Sequence, residues 1–193
     1  MIIRMISALV LALLGSVSFA RGPAPLGHTI QELLEGARRR DPKAIQSLGQ
    51  IREEKARFLL REIADEPDIP TNMGNGTEAE RTNSAHRYAK VALARMGEKK
   101  HLDYFISGLS SENSARRKSF IKHLGEIQDK RAVKHLIPIL DDAGSAGAAE
   151  WALTAILPAI ASGFIEKRGG KGQNSPLDWK RWWQDHGNDY ENL

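Results

Sequence analysis

Apolar residues in this chain recur at intervals of three and four, and stretches that alternate with period two are rare, so the pattern predicts helices nearly throughout. Thr29 is placed to cap a first helix that runs to the arginines at 38 to 40. Asp41-Pro42 then opens a second, with the aspartate as cap and the proline at the first helical position, where its missing N–H is harmless. Ala44, Ile45 and Leu48 form the inner side of that helix, and Gly49 is expected to end it. From Glu53 onward Ala56, Leu59, Leu60, Ile63 and Ala64 fall on one helical stripe. Residues 67 to 77 contain Pro67, Pro70 and Met73-Gly74-Asn75-Gly76, show no apolar period and read as a long loop.

Helix resumes near Glu78 with Tyr88, Val91, Ala92 and Leu93 inward, and stops at Gly97. Leu102, Phe105, Ile106 and Leu109 make the next stripe. Ser110-Ser111 is expected to cap a helix carrying Phe120, Ile121 and Leu124 and ending at Gly125, and Asp129 opens another with Ala132, Val133, Leu136, Ile137 and Leu140 inside. Beyond the turn from Gly144 to Gly147, the residues Ala149, Ala152, Leu153, Ile156, Leu157 and Ile160 read as one long stripe. Leu60, Ile106, Leu124, Leu136, Leu153 and Ile156 are expected to share one continuous core. A Gly-rich linker at 168–175 precedes a short helix from Pro176. Trp179, Trp182 and Trp183, at i, i+3 and i+4, lie on one face of it and are expected to cover the open end of the seam.

The segment Leu48-Gly49-Gln50-Ile51 recurs as Leu124-Gly125-Glu126-Ile127, and both copies are followed at equal offsets by Ala56 or Ala132, Leu60 or Leu136, and Ile63 or Ile139. A repeated unit of two short apolar helices cannot bury its inner face alone, so successive units must stack into a solenoid. Helix pairs recur about every 28 to 33 residues, near the spacing of helical repeats.

Asp129-Lys130-Arg131-Ala132-Val133-Lys134-His135-Leu136, continuing to Asp141-Asp142, resembles the first helix of a HEAT repeat, with an aspartate, an Ala-Val pair, spaced leucines and an acidic turn. Ala115-Arg116-Arg117 through Leu124-Gly125 resembles the second helix. The likeness extends over about residues 41 to 163 as a periodic pattern. It departs in the last unit, where Ala148-Ala149-Glu150-Trp151 stands in place of a Val-Arg segment, and in the first, which the loop 67–77 interrupts. The closing Trp-x-x-Trp-Trp helix is similar to that of exported bacterial HEAT-repeat proteins. The resemblance implies an all-α, short right-handed α-solenoid of antiparallel helix pairs over 21–167, followed by the linker 168–175 and a capping helix and tail at 176–193. It also implies a protein that works by binding another protein along a helical face.

Charge and composition narrow the setting. Arg4, a short apolar run from Met5 to Leu14 and Ser18-Phe19-Ala20 form the pattern of a cleavable export signal at 1–20, cut after Ala20. The run is too short for the roughly 20 apolar residues of a membrane span, so no span is expected after cleavage. A periplasmic or secreted location follows. The chain has no cysteine, which removes disulfides, thiolate metal sites and a thiol nucleophile. The formal charge is +4, and losing Arg4 with the leader lowers it to +3. Acids and bases are interleaved, which does not favour a specific nucleic-acid binder.

No His-Glu-x-x-His spacing, no Gly-x-Ser-x-Gly and no phosphate-binding loop is present, and Asp141-Asp142 reads as a solvated helix end. No catalytic residue, metal ligand or cofactor is therefore assigned. The densest basic group on a single helix, Arg116, Arg117, Lys118 and Lys122, is the candidate partner-binding set. The reading is a non-enzymatic scaffold or adaptor of the cell envelope with a protein partner. The alternative is a ligand-binding protein or enzyme with its site in a groove near the loop 67–77.

Overall fold

In the computed structural model the described residues are 29–67, 76–167, 175–191 and 193. The expected leader at 1–20, most of the loop 67–77 and most of the linker 168–175 lie outside them. Among the described residues the elements are α1 (Ile30–Arg38), α2 (Pro42–Gln50), α3 (Arg57–Asp65), α4 (Gly76–Arg95), α5 (Lys99–Ser107), α6 (Ser114–Ile127), α7 (Val133–Leu136), α8 (Ala146–Ile156), α9 (Pro158–Lys167), α10 (Pro176–His186) and α11 (Asn188–Glu191). Short 3-10 turns lead into α3, follow α5 and flank α7.

Local chemistry sets the helix ends. Thr29 caps α1 in a reciprocal box: its hydroxyl accepts from Glu32 N–H, and its own N–H donates to the Glu32 carboxylate at 2.8 Å. Asp41 caps α2 through Lys43 N–H, with Pro42 at the first position as expected. The cap of α6 is Asn113, which accepts from Arg116 N–H, and not the Ser110-Ser111 pair. Four turns share one design, a left-handed residue followed by an acid: Arg40 before Asp41, Arg52 before Glu53, Gly97 before Glu98, and Gln128 before Asp129. In the first three the acid's N–H closes back on the helix just ended, Asp41 to Gly36, Glu53 to Leu48 and Glu98 to Leu93, which satisfies carbonyls that the helix end would leave open.

Gly49 and Gly125 do not terminate their helices. Each lies inside, one residue or two before the end, and each is buried. A Cβ on Gly49 would sit 2.6 Å from the Ala92 Cβ, and one on Gly125 would sit 2.9 Å from the Ala152 Cα. These glycines let α2 approach α4, and α6 approach α8, more closely than any side chain allows. The stop falls to the left-handed residues that follow, Arg52 and Gln128.

The second helix of each pair stacks on the next in the order α2, α4, α6, α8, and each packs against its own first helix, α1, α3, α5 or α7. This is a short α-solenoid. The core is divided in two, contrary to the single seam expected. Leu60 belongs to a cluster from α1 to α4, whereas Leu124, Leu136, Leu153 and Ile156, with Ile106 at its edge, belong to a cluster that runs from α4 to the C-terminal helices. Helix α4 is the partition: Ala85, Ala89, Ala92 and Leu93 face the first cluster, Val91 and Ala94 the second. In a solenoid each unit meets only its neighbours, so burial is shared locally.

The long stripe from Ala149 to Ile160 is also broken. Leu157 leaves helical geometry before Pro158, and α9 departs from α8 at 107°. A residue before proline is pushed out of the α region, and proline offers no N–H to continue the ladder. Neither helix is long and apolar enough to cross a membrane, nor is any other single helix among the described residues. Helix α10, capped by a Ser175–Asp178 box, packs on α8. Trp179 is fully buried and Trp182 nearly so, Trp179 meeting Phe164 edge-on at 5.0 Å and Trp182 meeting Tyr190 at 5.2 Å. Lys180 pairs with Asp141, and Lys134 donates to the Glu191 carbonyl, fastening the closing segment to α7 and its flanks.

Candidate functional site

Helix α6 is capped by Asn113 and carries its apolar residues Phe120, Ile121, Leu124 and Ile127 inward. Arg116, Arg117 and Lys118 occupy successive positions, and at 100° per residue they cannot share a face, whereas Lys122 returns to the side of Lys118. Arg116 places its guanidinium over the Phe120 ring at 5.7 Å, beside an open pocket that Tyr104, Ser107 and Ser111 also line. Arg117 turns into the junction with the next unit. It donates to Asp142 at 2.8 Å through Nη2, to the Ser145 hydroxyl through Nε, and to the Ser111 carbonyl through Nη1 at 2.5 Å. Lys118 and Lys122 point to solvent, Lys122 with a loose 3.8 Å contact to Glu126.

The structure therefore brings Lys118 and Lys122 together and separates Arg116 and Arg117 from them. Arg117 is engaged three times within the fold, joining the end of α5 to the turn before α8. Its partner carboxylate is held below the usual range, first by the Ser145 hydroxyl and then by Arg117 itself.

Sequence reasoning missed Trp151. It lies outside the inward stripe of α8, is about half exposed, and rests on Gly125, where a Cβ would stand 2.5 Å from its ring. Gly125 follows Lys122 by three residues and Lys118 by seven, so all three positions fall on one stripe of α6. The indole thus lies against the C-terminal end of the stripe that carries the two lysines. The signal was present in the sequence as a tryptophan out of phase with Ala149, Ala152, Leu153 and Ile156. Its meaning depends on the closeness of α8 to α6, which Gly125 alone permits.

His86 and His123 make their contacts within the fold. His86 lies 3.2 Å from the Glu66 carboxylate across α4 and the end of α3, and His123 lies 2.9 Å from Glu126 between the rings of Phe105 and Tyr88. Burial pushes the Glu126 carboxyl up, but the hydrogen bond and charge of His123, with Lys122 and Arg95, outweigh it and leave the group below its ordinary value. Burial holds His101 below its ordinary value, against the opposing pull of Glu98. Among the described residues no three of His, Asp and Glu converge as metal ligands do. A groove of about 600 Å³ opens between α2 and α4, lined by Asp41, Lys43, Gln46, Glu80, Ser84 and Tyr88, while residues 68–75 of the loop named as the alternative site lie outside the described residues.

The model for HEAT repeats matches residues 79–156, the stretch from α4 to α8 that contains Lys118, Lys122 and Trp151. The chain is a HEAT-like helical repeat protein. HEAT repeats commonly mediate protein interaction and are generally scaffolds rather than enzymes. Neither the curated proteins nor the solved structures provided a match to the chain.

Proposed function

We propose that this HEAT-like protein is a non-enzymatic scaffold or adaptor of the cell envelope that binds another protein through the exposed face of its second-helix layer. The observation that carries this reading is the exposed line of Lys118, Lys122 and Trp151 on the stacked helices α6 and α8. Solvent-facing cations beside a half-exposed indole, on a rigid pair of helices, supply both the charge that steers a partner and the aromatic area that anchors it. The leader pattern at 1–20 supports an envelope or secreted location, and the mature chain would begin at Arg21.

The test is to express the full chain with its leader, sequence the N-terminus of the exported product, and crosslink and purify it from the envelope fraction for mass spectrometry. The expected result is an N-terminus at Arg21 and one protein recovered in fixed ratio. Met1 retained in a membrane fraction would overturn the export reading. A small molecule recovered without a protein would overturn the scaffold reading in favour of a ligand site near 67–77.

A further inference from the structure

We infer that the partner segment taken by this face is an acidic peptide whose carboxylates are spaced for Lys118 and Lys122 and whose apolar side chain packs on Trp151. The inference rests on the protein-binding reading and adds the chemistry of the bound segment. Lys118 and Lys122 are four residues apart on α6, about 6 Å along the axis, and both are exposed. Like charges at that spacing repel slightly in the free protein, and an anion lying across them relieves the repulsion. Glu126 offsets only part of this charge: its nearer partner is His123 at 2.9 Å, and it approaches Lys122 at 3.8 Å.

Trp151 supplies what a purely electrostatic surface lacks. Its ring lies against Gly125 on one side and is about half exposed, so an apolar group can bury area on it. The spacing from Lys118 to Lys122 is matched by glutamates four residues apart on a helix, and a leucine one turn beyond them, at the offset of Gly125 from Lys122, probes the indole. Anionic polysaccharide and phospholipid also carry the charge to meet the lysines, so competition by each is an outcome that the test separates from peptide binding.

The test uses the mature full chain and a fluorescein-labelled helical peptide with that Glu, Glu, Leu spacing. The expected result is binding that weakens with salt, falls about tenfold or more in K118E/K122E, and falls about tenfold in W151A. Replacing the peptide leucine by serine should weaken binding to the wild type and leave binding to W151A unchanged. Thermal melts matched to wild type exclude unfolding, and K118Q/K122Q replaces the reversal if that variant melts early. Binding to the wild type that is absent, or is indifferent to these substitutions, overturns the inference. So does heparin or a phosphatidylglycerol vesicle that competes equally in wild type and W151A. If an envelope protein still co-purifies with K118E/K122E, the scaffold reading survives and only this surface fails.

Discussion

Arg117 and Asp142 join two repeats through a guanidinium–carboxylate contact of 2.8 Å, and the same guanidinium also reaches the Ser111 carbonyl. One side chain thus ties the end of α5, the body of α6 and the turn into α8. A lysine has the charge but not the fork, so it cannot satisfy both acceptors and Ser145 at once.

Substituting Arg117 is accordingly expected to affect stability and leave the exposed face intact. Calorimetry should find a lower melting temperature for Arg117→Ala, only partly restored by Arg117→Lys, while peptide binding below the transition stays at the wild-type level. In a double-mutant cycle with Asp142→Ala the two losses should be less than additive. Additive losses would mean that the contact contributes nothing.

Gly125→Ala must push its Cβ against the Ala152 backbone and the Trp151 ring. Backbone cannot yield as a flexible side chain can, so urea unfolding should register a loss of about 1–3 kcal/mol. Gly147→Ala and Gly163→Ala are the controls, because a Cβ there meets nothing within 4 Å. Both should be neutral or slightly stabilising through the unfolded chain.

The C-terminal helix should behave as part of the core. Trp179 is fully enclosed against Phe164 and Trp182, and Trp179→Ala should cost about 3–5 kcal/mol in denaturant titration. Deleting 176–193 should lower the melting temperature and bare the apolar surface of α8 and α9, with increased binding of a hydrophobic dye. An unchanged melting temperature would contradict the packing of α10 on α8.

Acid should destabilise the fold from a higher pH than its carboxylates alone dictate. Burial holds the folded-state pKa of His101 below its ordinary 6.5, and burial does the same for His135. A histidine depressed in this way contributes stability that is fully present above the unfolded value and is lost as pH falls through the folded one. Glu98, kept below its ordinary 4.5 by Arg61 and Arg57 despite burial, adds a second loss at lower pH in the same direction. Melting temperatures between about pH 7.5 and about pH 5 should therefore fall, and His101→Gln should flatten that slope.

The sequence by itself determined what depends on neighbours a few residues apart. Thr29 with Glu32, and Asp41 with Pro42, are short-range hydrogen-bond and dihedral preferences, and both appear where the sequence places them. The apolar spacing likewise determined which side of each helix turns inward, as Leu60, Leu124, Leu136 and Leu153 demonstrate by their complete burial. Tertiary structure decided the rest. Gly49 and Gly125 read as helix stops until their distance from Ala92 and Ala152 makes them points of close approach. The basic run on α6 reads as one patch until Asp142, far along the chain, draws Arg117 away and leaves Lys118 and Lys122 exposed. Trp151 acquires a place beside those lysines only because α8 lies against Gly125. Helical phase is a local property, while the environment of a side chain is set by the units stacked on either side of it.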